Sequence, residues 1–109
     1  MQKWTDLVAQ GTKEGAEEQL FFVRLTRHPK YTYRSVADLQ ESTSLPEERI
    51  LEILKKYSKL GMIMLSPKND MYGYWERVKE DYPEYFEKEL SLSQKDKRNR
   101  INKITGFNS

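Results

Sequence analysis

The one histidine, His28, stands directly before Pro29, and the chain has no cysteine. Without a thiol there is no Cys nucleophile, no thiolate metal site and no disulfide. A lone histidine beside a proline at the end of an apolar run reads as a helix terminator or surface residue rather than a general base. No glycine-rich phosphate loop, nucleophile elbow or paired-histidine metal motif is present. Glu80, Asp81, Glu84, Glu87 and Glu89 supply carboxylates. They lack the loop spacing of a calcium site and read as the solvated face of a helix. The expectation is therefore no enzyme, no cofactor and no metal. The chemistry that remains is recognition by charge and hydrogen bonding.

Three groups of side chains could carry it: Lys55, Lys56 and Lys59; Lys68 and Asn69; and Lys95, Lys97, Arg98, Arg100 and Lys103. Residues 61–91 hold seven acidic against four basic side chains, and residues 92–109 hold one against five, so an acidic stretch steps to a basic tail. A plainer role stands beside the first and the last. Lysines late in a helix complement its dipole, and a basic tail can be only a solvated extension. Phe21–Phe22 reads as core. Single-strand binders need exposed aromatics in a basic groove, and nothing in the sequence places that pair on a surface.

A length of 109 residues suits one compact domain. Hydrophobic residues at 37% against 33% charged are few enough that part of the chain should stay unpacked, while 12% aromatics argue that the rest folds. The net charge of +2 is too small to name a partner. No apolar run approaches the roughly 20 residues that span a bilayer, and "MQKWTDLVAQ" lacks a signal peptide's apolar core. The reading is soluble and cytoplasmic, without a membrane.

Residues 1–11 form an N-terminal segment in which Trp4, Leu7 and Val8 make a short amphipathic helical turn ended by Gly11. Residues 12–90 form the domain. Thr12 caps a helix reaching toward Pro29, with Gly15 an early weak point and Glu17 and Glu18 favouring its N-terminus. "KYTYRS" suits an edge strand. Ser35 caps a helix that carries Asp38 three residues on. Ser44, Pro46 and Glu47 read as the start of the next helix, with Ser44 and Glu47 as a capping box. Ile50, Ile53, Leu54, Tyr57 and Leu60 make one apolar stripe, and Gly61 ends it. "MIML" and "MYGYWERV" then read as a hairpin around "SPKND". There Asn69 or Asp70 takes a left-handed position and Gly73 marks a bulge. A last helix starts near Pro83, with Tyr82, Tyr85, Phe86 and Leu90 as its apolar side. Residues 91–109 read as a flexible basic tail.

Helix, short strand, helix, tight turn, helix and hairpin follow in that order. On "SVADLQESTSLPEERILEILKKYSKLGMI" and "MLSPKNDMYGYW", residues 17–78 resemble a winged helix-turn-helix domain of the kind found in small bacterial and phage transcription regulators. The implied fold is α+β, mostly α: a three-helix core, a two-stranded β-hairpin wing and a short C-terminal helix. The resemblance implies duplex DNA as partner and a role in transcription regulation. The recognition helix 45–60 would present Glu48, Leu51, Glu52, Lys55, Lys56 and Lys59 to base edges and backbone. Arg34 and Ser35 would meet phosphates at the start of the scaffold helix, Lys68 and Asn69 would reach out from the wing, and the tail cations would add further phosphate contacts.

Glu48 and Glu52 raise the electrostatic cost of approaching DNA. Leu51, off the apolar stripe, could touch a thymine methyl, pack under the wing or meet a protein. The alternative function is a protein-interaction or dimerisation module with the same fold, acting on transcription without reading DNA. Self-association would use the N-terminal segment, the first helix and Tyr82–Phe86.

Overall fold

The computed structural model describes residues 2–90, with side chains through Glu87. The predicted tail lies outside the described residues. Helix α1 is Trp4–Leu7 and α2 is Lys13–Thr26. Thr12 caps α2 as expected, its hydroxyl accepting from the Gly15 N–H at 2.9 Å. Gly15 itself is a point of close approach and not of weakness. A Cβ there would lie 1.7 Å from the Ala9 carbonyl oxygen, so only glycine lets the N-terminal segment cross the first turn of α2. The apolar all-round character of α2 is answered by cover on several sides. Phe22 stacks on Trp4 with centroids 5.5 Å apart and meets Phe21, Tyr57 and Tyr74 edge-on. Phe21, Phe22 and Leu25 are completely buried within the chain, which leaves no face of them for a partner copy.

Strand β1 (Tyr33–Arg34) precedes α3 (Val36–Thr43). Ser35 and Asp38 form the expected capping box, with Ser35 Oγ accepting from Asp38 N–H at 3.1 Å and Asp38 reaching back to Ser35 N–H. The second expected box is absent. Ser44 is the C-cap of α3, left-handed at φ 60°, and its N–H donates to Gln40 O at 2.8 Å. Helix α4 is Glu47–Ser58, with Pro46 as an N-cap that makes no side-chain bond. The connection is too short for Ser44 to serve both ends, and it closes α3. Thr43 braces the turn instead, donating to Leu39 O and accepting from Leu45 N–H.

Ile50, Ile53, Leu54 and Tyr57 are buried as the stripe required, but Leu60 is 53% exposed. It lies beyond Ser58, where α4 stops and the chain turns through Gly61 at φ +75°. Strands β2 (Ile63–Leu65) and β3 (Tyr72–Tyr74) form the hairpin. Its loop is closed by Ser66 N–H to Met71 O at 2.8 Å. Among the described residues Ser44 is the one non-glycine with positive φ, so neither Asn69 nor Asp70 is left-handed.

Strand β3 is central. The antiparallel order is β1-β3-β2, and Gly73 faces Tyr33 on one side and Met64 on the other. The register runs unbroken, so Gly73 marks close packing rather than a bulge: a Cβ would come within 3.0 Å of both Val78 and the Tyr33 ring. "WERV" leaves the strand. Trp75–Asp81 is helix α5 and Pro83–Leu90 is α6, so among the described residues two short helices follow the hairpin in place of one. Trp75 and Val78, three apart, bury on one side of α5, while Arg77 and Asp81 pair at i,i+4. Among the described residues the architecture is α+β, mostly helical, with one small three-stranded antiparallel sheet.

Candidate nucleic-acid interface

Helix α4 turns its apolar stripe inward, which leaves Glu47, Glu48, Glu52, Lys56 and Lys59 exposed and Leu51 and Lys55 half-buried. Leu51 packs against the core, which answers the question of its exposure. Glu52 pairs loosely with Arg49 at 3.4 Å. Glu48 carries its charge at the leading turn. Lysines follow in the second half, where Glu52, Lys55, Lys56, Lys59 and Leu60 line a shallow surface depression.

Lys56 does not point freely outward. Its Nζ lies 2.7 Å from Glu18 Oε2, and the Tyr57 hydroxyl donates to Glu18 Oε1 at 2.6 Å. Glu18 is 1% exposed. It was expected to favour the dipole of α2; it is also the buried centre of a clamp between α2 and α4. Arg49 completes the clamp with Nε 2.7 Å from Glu17 Oε1. Burial works against the Arg49 charge, yet the hydrogen bond and charge of Glu17, with Glu14 and Glu18 nearby, raise its pKa. Burial, then the Glu18 hydrogen bond, pushes the Tyr57 hydroxyl well up. The clamp thus holds α4 at a fixed angle to α2 and takes one lysine largely out of play.

Arg34 is buried as well. Its guanidinium donates to Arg24 O at 3.3 Å and Ser42 Oγ at 2.9 Å, and lies 4.0 Å from Asp38. In this position it braces α3 against α2 and cannot present itself to a phosphate. Ser35 is half-buried, its oxygen engaged in the capping box. Lys68 and Asn69 are exposed at the hairpin tip. They do not join the α4 lysines. They sit on a separate groove of about 570 Å³, together with Lys30, Tyr31, Asp38 and Tyr82. Lys95, Lys97, Arg98, Arg100 and Lys103 lie outside the described residues.

Comparison with protein-family models, curated proteins and solved structures finds no match. Among the described residues no helix is long and apolar enough to cross a membrane, and no group of three or more His, Cys, Asp or Glu could hold a metal ion.

Sequence reasoning missed Glu18, Arg49 and Tyr57 as a unit, since their partners lie more than 30 residues apart. It also missed the tyrosine groove. One signal was there: Tyr31 and Tyr33 alternate in an extended stretch, which puts them on one side of it, and Tyr82 and Tyr85 are spaced for one helical face.

Proposed function

We propose that this chain is a DNA-binding winged-helix protein that regulates transcription. It would contact duplex DNA through Lys55 and Lys59 in the second half of α4 and through Lys68 and Asn69 at the hairpin tip. Ser35 at the start of α3 and the tail cations Lys95, Lys97, Arg98 and Arg100 are further candidates for phosphate contact. The observation that carries the reading is the arrangement of α3, a three-residue turn and α4. It is followed at once by a hairpin, and the polar face of α4 and the hairpin tip are both left open to solvent. Arg34 drops out of the contact set because it is buried, and Lys56 is weakened as a contact because Glu18 holds it.

Each phosphate neutralised contributes about −0.9 to the slope of log K against log salt. With Lys55, Lys59 and Lys68 alone the slope is about −3, and with four tail cations engaged it is about −6. Fluorescence anisotropy on a random-sequence duplex between low and moderate salt reads this directly. Replacing Lys95, Lys97, Arg98 and Arg100 with Gln should then bring the steep slope to the shallow one. Lys59→Glu should weaken binding several-fold. A duplex that does not bind at low salt removes the proposal.

One observation favours a second reading, a protein-docking module of the same fold. The leading turn of α4 exposes Glu47 and Glu48, and Leu60 stands 53% exposed beside the lysines at its other end. A partner protein with a basic rim and an apolar centre would suit that face better than DNA. Loss of partner capture on Leu60→Glu, with no duplex binding by the unaltered chain, would select it.

A further inference from the structure

Four tyrosines converge on the groove between β1, the β2–β3 loop and the α5–α6 junction. They stand in two stacked sets. Tyr31 lies on His28 with centroids 4.9 Å apart and is 56% exposed. Tyr82 stacks on Tyr85 at 5.2 Å and leans on Tyr33 at 5.8 Å. Tyr33 and Tyr85 are half-buried against the core, whereas Tyr31 and Tyr82 are the exposed aromatic rings among the described residues.

The walls are held in place before any ligand arrives. Thr32 Oγ1 donates to Asp81 Oδ2 at 2.5 Å, Arg77 Nε donates to the same oxygen, and Arg77 reaches Thr26 O, so α5 is tied to the end of α2 and to the residue that leads into β1. His28 Nδ1 accepts from the N–H groups of Lys30 and Tyr31, which fixes the turn that carries Tyr31. Three charged residues line the groove: Lys30, Lys68 and Asp38. Asp38 already faces Arg34 and the N-terminus of α3. The ammonium groups of Lys30 and Lys68 have no carboxylate within ion-pair distance among the described residues.

A ligand that answers both features is planar and anionic in alternation. We infer that this groove binds single-stranded nucleic acid, with bases stacking on Tyr31 and the Tyr33–Tyr82–Tyr85 ladder and phosphates meeting Lys30 and Lys68. Base–aromatic stacking with a basic rim is the general means of holding single strands without reading sequence. The volume falls within the usual range for ligand pockets. A peptide fits less well. Strand β1 is two residues long, too short to template an added strand. An uncharged proline-rich segment would use the rings but leave both lysines unanswered.

This site shares Lys68 and Asn69 at the hairpin tip with the proposed duplex surface, but Tyr31, Tyr82 and Lys30 belong to the groove alone and Lys59 to the α4 face alone, so those four residues tell the two apart. Anisotropy of fluorescein-labelled dT10 with the full chain at low salt tests it. Binding is expected, with amide shifts at residues 30–33, 68–69 and 82–85. Tyr31→Ala should weaken it about ten-fold or more, as should Tyr82→Ala, while Tyr31→Phe stays within about two-fold. Lys30→Glu, at an exposed position outside every helix and strand, should weaken it comparably and serves if a tyrosine variant loses its fold. Tyr31→Ala should leave duplex binding unchanged, whereas Lys59→Glu should alter duplex binding and leave dT10 unchanged. The inference is overturned if dT10 does not bind, if it binds equally to Tyr31→Ala and Lys30→Glu, or if an acidic or proline-rich peptide produces the groove shifts and dT10 does not.

Discussion

Between α2 and α4, Arg49, Lys56 and Tyr57 gather around one buried carboxylate, Glu18, and each polar group of the clamp finds a partner inside the chain. Around the hairpin tip, Lys30 and Lys68 flank the exposed rings of Tyr31 and Tyr82, and neither lysine has an ion-pair partner among the described residues. The residue types in the two regions are alike. Their use differs. A desolvated charge must be compensated where it lies, so the clamp fixes the geometry of α4 and has little charge left for a partner. The groove is preorganised at its walls by Thr32, Asp81 and Arg77, and it leaves its rim cations for something outside.

The largest effect that sharpens this contrast is expected at the clamp. Glu18→Ala strands the Tyr57 hydroxyl without an acceptor and removes the partner of Lys56. A cost of about 2–3 kcal/mol follows, kept moderate because Lys56 is half-exposed and can rehydrate. Urea denaturation reads it, and a cost below about 0.5 kcal/mol would mean that the clamp is decorative. Next comes Gly73→Ala. Its Cβ would press on Val78 Cγ2 at 2.8 Å and on the Tyr33 ring at 2.9 Å. Overpacking of that kind costs about 1–3 kcal/mol. It should also move the Tyr33 ring resonances and weaken dT10 binding, joining a stability readout to a groove readout.

Smaller still is Thr32→Val, which removes the bond to Asp81 at a net cost of about 1 kcal/mol. The Thr32 hydrogen bond, then that of Arg77, holds the Asp81 pKa below its ordinary value. The stabilisation from Asp81 is therefore complete above the unfolded carboxylate's pKa, near about 3.9, and is lost as pH falls through the lower folded value. Carboxylate NMR titration should show Asp81 moving up toward that ordinary value in Thr32→Val. Tyr31→Ala should change stability by about 0.5 kcal/mol or less, since the ring is mostly outside the core. A substantially larger loss on thermal melting would turn the groove into another packed element and break the contrast.

What could be read from sequence divides along the same line. The Thr12 cap, the Ser35–Asp38 box, the Ile50–Ile53–Leu54–Tyr57 stripe and the turn at Gly61 depend on residues one to four apart, and each stands as the local pattern requires. Ser44 misled because one serine between two helices is chemically suited to end the first or start the second. Only the length of the turn decides. Arg34 misled because which side of a two-residue strand faces the core is a tertiary matter. "WERV" directly after "YGY" reads as more strand, although Trp75 and Val78 at spacing three suit one face of a helix. The missing Cβ of Gly73, against which α5 folds back, gave no warning of it. Glu18 could be read as a helix-dipole partner but not as the buried centre of a clamp, its partners being 38 and 39 residues away.

In the proposed function, the second half of α4 and the hairpin tip meet duplex DNA, while the clamp only sets the position of α4. An NMR titration of the full chain with a random-sequence duplex at low salt tests it most directly. Amide shifts are expected at Lys55, Lys59, Lys68 and Asn69 that fade with added salt, with Glu17, Glu18 and Arg49 unmoved. Shifts absent throughout, or confined to Glu47, Glu48 and the clamp, would contradict it.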